Sequence, residues 1–357
     1  MAFVRSLARK CTVKRRAFLS VLGSGVCAAA HGQLSSPRIG QPAKPTPTVR
    51  TVRGPIAAHA LGRTLPHEHV LVDFIGADLV SPSRYDPLAV FEKTIPYVRR
   101  AAELGFHAIF EATPDYLGRD PRLLARLSEA SGIHFVTNTG LYGARQNKFI
   151  PPYAHSESAR QLSLRWIAEA EHGIGETGIQ PGFIKSGVDA DPTLSPLHEK
   201  LARAAALTHA VTGLTIAVHT GRGPGLQQIA LLREQGVAPA AFVWVHAHGA
   251  RDDDLFAAAG LGSWLSFDGL NQPTLTRHLH LCTVMKQRGH LSQILLSHDA
   301  GWYDPAKPEG GPFRNYELLS SAFIPALQEH GFTTAEIDQL TIHNPAAAFA
   351  VRVRALN

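Results

Sequence analysis

From Val49 onward, short apolar runs alternate with longer amphipathic stretches, and the alternation repeats to the C-terminus. The short runs suit buried strands and lie at residues 64–74, 108–112, 134–137, 183–184, 215–218, 241–245, 263–267 and 293–297. Helical periodicity fills most of the gaps, at 87–104, 121–130, 157–172, 196–212 and 225–235. Strand alternating with helix predicts parallel strands joined by helical crossovers. Eight such units predict an α/β fold of the closed (β/α)8, or TIM, barrel type. An open doubly wound sheet competes, but no Gly-x-Gly-x-x-Gly turn follows the first strand.

The first 49 residues have a different texture. Arg5, Arg9, Lys10, Lys14, Arg15 and Arg16 precede an apolar run from Ala17 to Val26, with no acidic residue among them. A basic segment, a short apolar run and then small residues describe an export signal over residues 1–30. The apolar run falls short of the ~20 residues a bilayer-spanning helix needs. Lys14-Arg15-Arg16-Ala17-Phe18-Leu19 looks like a twin-arginine signal, with an ordinary Sec signal as the alternative. Residues 31–49, rich in Pro, Ser and Gly, read as a flexible tether. That leaves 50–357 for the barrel and a periplasmic or secreted location for the product.

Removing the signal changes the charge argument. The chain carries 35 basic and 29 acidic residues, and the surplus of six lies entirely in residues 1–30. The remainder is formally neutral, so the high pI is no argument for nucleic-acid binding. With 45% hydrophobic and 18% charged residues, a large core is affordable. Cys11 and Cys27 fall within the signal, and Cys282 alone cannot form an intrachain disulfide.

Barrel active sites gather where the strands end. His67 and His69, two apart in a strand, share a face. Lys185 closes Gly182-Phe-Ile-Lys, His219 closes Thr215-Ile-Ala-Val-His, and Asp299 follows Ile294-Leu-Leu-Ser-His. His246 closes Phe242-Val-Trp-Val-His, while His248 would face the same way if that strand continued; we favour His246 because the apolar run ends immediately before it. Singly, each residue has a bland explanation in packing or solvation. Four histidines, a lysine and an aspartate at successive strand ends form a constellation.

These residues sit in stretches that resemble the phosphotriesterase family of the amidohydrolase superfamily, from about Thr51 to Ala350. The matching stretches include Val52-Arg-Gly-Pro-Ile, Gly62-Arg-Thr-Leu-Pro-His-Glu-His, Gly118-Arg-Asp, Thr139-Gly-Leu-Tyr, Gly182-Phe-Ile-Lys, Ala217-Val-His-Thr, Leu295-Leu-Ser-His-Asp and Asn344-Pro. The resemblance implies a binuclear hydrolase, with His67, His69 and Asp299 on a buried metal and His219 and His246 on a more exposed one. Lys185 would bridge the two as a carbamate, since an ammonium cannot ligate a cation whereas a carbamate is an anionic two-oxygen bridge. Such ligands suit two divalent ions, zinc first. A shared hydroxide would be the nucleophile, with Asp299 orienting it and taking its proton.

The resemblance places Tyr142 and Asp268 around the substrate; His248 reads as a pocket residue or a donor behind the metal ligands, and Trp302, in a Gly/Pro-rich loop beginning after Asp299, as lining an apolar subsite or anchoring that loop. Gly249 and Gly269 depart from the family, which carries an acid at the first position and a histidine or arginine at the second. The expected reaction is cleavage of a lactone, carboxyl ester or phosphoester in a small molecule. Cleavage of a C–N bond is the alternative, and a non-catalytic binding barrel a weaker one. The resemblance also implies a homodimer.

Overall fold

The computed structural model describes residues 46–356. The expected signal at 1–30, and most of the tether at 31–49, lie outside them. The end of the tether is structured: Thr48 and Val49 begin β1 (Thr48–Thr51), which pairs antiparallel with β2 (Gly54–Ala57), and Val49 is fully buried. Among the described residues, no helix is long and apolar enough to cross a membrane.

Parallel strands follow. β3 (Thr64–Glu68), β4 (Ala108–Glu111) and β5 (His134–Val136) form one arc. β6 (Asn138–Thr139), β7 (Phe183–Gly187), β8 (Thr215–His219), β9 (Phe242–Val245), β10 (Trp264–Phe267) and β11 (Ile294–Leu296) form the other, in chain order. Only Thr137 separates β5 from β6, so that strand serves both arcs. At the opposite seam Asp299 N–H donates to the His67 carbonyl (3.2 Å) and His69 N–H to that of Ala300 (2.9 Å). The architecture is the expected α/β barrel.

Recurrent punctuation sets the outer helices. α1 (Pro87–Glu103), α2 (Pro121–Ser131) and, after the short α3 (Pro152–Ser156) and α4 (Ala159–His172), α5 (Pro196–Thr212) each begin with proline. The preceding Asp86, Asp120 or Ser195 caps a free backbone N–H. α2 and α5 stop at glycines in the left-handed region, Gly132 and Gly213. α6 (Gly225–Glu234), α7 (Asp252–Gly260) and α8 (Leu275–Gln287) continue the ring. The Asn344 side chain donates to the carbonyls of Leu291 and Ile294, tying the last helical segment beneath β11.

Strand periodicity explains why the site lies above an apolar plug. Phe110, Phe183, Ala217, Val243 and Leu295 fill the lumen, closed from below by Val49, Leu61 and Phe349. Positions two apart share a face, so Lys185 stands one pleat above Phe183 and His219 one above Ala217. The first strand is shorter than expected. It ends at Glu68, because the backbone N–H groups of Val70 and Val72 are taken by the Glu111 side chain and the Tyr303 carbonyl rather than by a ladder.

Candidate metal centre and active-site cavity

His67, His69, Lys185, His219, His246 and Asp299 come from the ends of five strands and line one cavity. His67, His69 and Lys185 are buried, while His219, His246 and Asp299 are partly open. The ligand atoms of His67, His69 and Asp299 lie within 4.8 Å of one another. Beside them, the His219 and His246 rings are 4.4 Å apart.

Strained backbone sets two of these groups. His246 (φ 59°), immediately after β9, and Asp299 (φ 53°), three residues past the end of β11, both adopt the left-handed conformation. Such residues persist where their surroundings over-determine them. His246 N–H donates to Asp268 (3.0 Å), and Asp299 N–H to the carbonyl of His67. Glu68 points away from the cavity and locks the opposing segment, accepting from Ser297 Oγ (2.8 Å), His298 Nδ1 (2.7 Å) and Ala300 N–H (2.7 Å). Asp299 is thereby held between two fixed neighbours.

Acceptors behind the histidines decide how their rings present themselves. Asp268 is fully buried and takes His246 Nδ1–H at 2.6 Å, His67 Nδ1–H at 3.1 Å and the Ser266 hydroxyl at 2.7 Å. His69 Nδ1–H donates to Thr113 Oγ1 (2.7 Å), whose hydroxyl donates to Glu111 (2.5 Å). Each of these rings is thereby turned to aim Nε2 at the cavity, that of His69 lying 3.1 Å from Asp299, the arrangement of metal-ligating histidines with an acceptor behind them. The donor set fits divalent ions.

Charge is correspondingly polarised. Burial opposes ionisation of Asp268, yet His246 and His67 hold its carboxyl well below the usual range. Asp299 is likewise held low against burial, by the His69 hydrogen bond and the surrounding imidazoles. Burial, with Lys185 nearby, pushes His67 down to about 4. His246 moves upward despite its burial because Asp268 lies closer to it. Burial lowers the Lys185 amine to about 8 against the pull of Asp268, Asp299 and Glu111.

The outer wall is apolar and aromatic, built from Val72, Phe74, Leu117, Tyr142 and Trp302, with Arg145 at its edge. Tyr142 packs edge-on to His219 (5.2 Å) and Trp302 to His69 (5.5 Å).

The sequence profile of the Phosphotriesterase family matches residues 47–349. The chain belongs to the phosphotriesterase family. A phosphotriesterase homology protein of Mycobacterium tuberculosis is 31% identical, covering 85% of this chain and 98% of that one. An aryldialkylphosphatase of Saccharolobus solfataricus is 28% identical, covering 83% and 97%. Among solved structures, a doubly substituted organophosphorus hydrolase from Deinococcus radiodurans superposes with a TM-score of 0.74 at 31% identity, covering 85% and 96%. As a phosphotriesterase-family enzyme, the protein is a metal-dependent hydrolase acting on ester bonds, and the family's centres are binuclear.

Two residues expected around the substrate stand elsewhere in this phosphotriesterase-family member. Asp268 does not line the cavity; it lies behind His67 and His246 with both oxygens engaged. His248 does not line it either, because the left-handed turn at His246 ends the strand and sends the next residues into a 3-10 turn, Ala247–Gly249. His248 instead stacks on His278 (4.8 Å) and packs against Gly269, where a Cβ would come within 2.9 Å of its ring. The side chain absent at 269 is thus replaced sterically by His248. Tyr142 and Trp302 line the cavity, whereas Tyr303 anchors its loop by pairing with Leu71.

Sequence reasoning missed Glu68, Glu111, Thr113 and Arg145. Glu111 had a visible signal, a carboxylate closing an apolar strand. Thr113 and Arg145 had none, since only the folded loops bring them to the site.

Proposed function

We propose that this phosphotriesterase-family enzyme hydrolyses a lactone, carboxyl ester or phosphoester of a small molecule at two divalent ions, zinc by ligand chemistry. The observation that carries the reading is the convergence of His67, His69, Lys185, His219, His246 and Asp299 on one cavity, with acceptors behind three of the imidazoles. His67, His69 and Asp299 would hold one ion, and His219 and His246 the other. Lys185 would bridge them after its amine nitrogen adds to carbon dioxide and releases one proton, giving an anionic carbamate. The lowered basicity of its buried amine supports that step.

When bound, the ions supply Lewis acidity and a nucleophilic hydroxide near neutral pH. Asp299, ionised at neutral pH, orients and accepts the proton of the attacking water. Tyr142 and Trp302 pack the leaving portion of the substrate and exclude bulk water. Export through residues 1–30 and assembly as a homodimer belong to the same reading.

The test is metal analysis of purified protein alongside an activity panel of lactones, carboxyl esters, phosphotriesters and N-acyl compounds. Close to two ions per chain and turnover of an ester are expected. Full activity in metal-free protein overturns the mechanism, and turnover of N-acyl compounds alone would move the enzyme to C–N cleavage.

A further inference from the structure

Arg145 is a cation in the wall of the reaction cavity for which the ester-hydrolysing machinery has no use. It lines the same space as Lys185 and Asp299. Arg84, Arg119 and Arg165 each pair with a carboxylate, but among the described residues Arg145 pairs with none. Its guanidinium lies instead over the face of Phe74, 5.3 Å from the ring centre, and Phe74 packs on Trp302 at 5.4 Å. An aromatic ring positions a guanidinium while leaving its hydrogen-bonding edge free.

The backbone that presents it is unusual. Arg145, Gln146 and Asn147 are three successive non-glycine residues with φ of 60°, 58° and 60°. Left-handed backbone is unfavourable for residues with a Cβ, and runs of it are rarer than single cases. Neighbours hold the turn from several sides. Asp189 accepts Gln146 N–H with both oxygens (3.2 Å each), Asn147 N–H donates to the Gly143 carbonyl (3.1 Å), and Lys148 Nζ donates to that of Phe74 (2.6 Å). Asp189, the acid nearest along this turn, is thus spent on backbone rather than on the guanidinium.

We propose that Arg145 binds an anionic group on the substrate, a carboxylate remote from the scissile ester, so that the preferred substrates have an apolar body between two polar ends. This rests on the ester-hydrolase reading above. A carboxylate matches the planar fork of the guanidinium in a two-bonded, charge-assisted pair, which an exposed arginine at the cavity mouth can offer to an incoming substrate. Neutral phosphotriesters and unsubstituted lactones leave the fork unmatched.

The experiment uses zinc-reconstituted full-length protein and paired 4-nitrophenyl esters of equal length, one ending in methyl and one in carboxylate, such as hexanoate against adipate. The expected kcat/KM favours the carboxylate ester by about tenfold or more, mainly through KM. Arg145→Met should lower that ratio about tenfold, and Arg145→Lys should retain part of it; thermal midpoint and metal content establish that both variants are folded and loaded. A wild-type ratio near one, or one that Arg145→Met does not change, overturns the proposal. If no ester is cleaved, the ester reading fails by itself, and calorimetry with the same two uncleaved 4-nitrophenyl esters decides the role of Arg145. Tighter binding of the carboxylate-ended ester, lost in Arg145→Met, sustains it, and equal affinities overturn it.

Discussion

The floor and the rim of the cavity are built by different physics. Floor residues stand at or just beyond strand ends, directly above the apolar lumen, and a carboxylate or hydroxyl acceptor lies behind His67, His69 and His246. The rim is loop, with Arg145 and Trp302 in left-handed backbone and aromatic faces packed on one another. A floor of this kind fixes ligand geometry and tolerates little change, whereas a loop rim can be rebuilt without disturbing it. Chemistry and specificity are therefore expected to separate on mutation.

The largest effects should come from the centre of the floor. Asp299→Asn removes both a ligand and the proton acceptor, so kcat should fall by about a thousandfold or more while the circular dichroism spectrum is retained. Chelation of the metal should do the same, reversibly on adding zinc. Behind the floor, Asp268→Asn withdraws the anion from His67 and His246 together. Metal affinity should fall roughly 10- to 100-fold for both ions, read by competition with a zinc chelator. Thr113→Val deprives only His69 of its acceptor and should weaken one ion, by about tenfold. If the two variants affect both ions alike, the distinct roles of Asp268 and Thr113 are wrong.

How legible each wall was follows from its construction. Residues at strand ends keep a fixed phase with the apolar run beneath them, so Phe183 announces Lys185 and Ala217 announces His219. The barrel was legible for the same reason, from eight repeats of one pattern. Asp268 was visible as an acid, but its direction was not. Only the folded positions of His67 and His246 show that it faces them rather than the substrate. His248 lies past the strand end, where phase gives no direction, and the positive φ of His246 carries it into a 3-10 turn away from the cavity. The hairpin of β1 and β2 went unread because its short strands carry little alternation. Rim residues have no phase, and Arg145 is an ordinary arginine until its turn is seen.

A smaller effect should appear at the rim. Trp302→Ala removes an aromatic face beside His69 and should change KM by up to about tenfold, to different extents for esters with different leaving groups. Metal content should stay at the wild-type value. Loss of metal in this variant would show that the Trp302 face supports the floor as well as the substrate.

The last effect is on stability and leaves catalysis aside, measured on metal-free protein. His67 and His248 are held down at about 4 by burial, and His219 is also well below its ordinary value. As pH falls from about 6.5, the unfolded chain takes up protons that these folded imidazoles refuse, so stability falls towards pH 4, by up to about 1.4 kcal/mol per pH unit for each group. His246, shifted upward, works in the opposite sense; its contribution is present at low pH and is lost as pH rises through its folded pKa. Asp268 and Asp299, both held low, stay ionised through this window and add their loss only below the ordinary carboxylate range. The net expectation is a thermal midpoint that drops between pH 6.5 and 4.5 and drops less steeply in His248→Gln. Trp302 carries no titratable group, and burial moves Tyr142 further above this window. Rim substitutions should therefore shift the midpoint curve without changing its slope, and a changed slope in Trp302→Ala would show that the two walls are not independent.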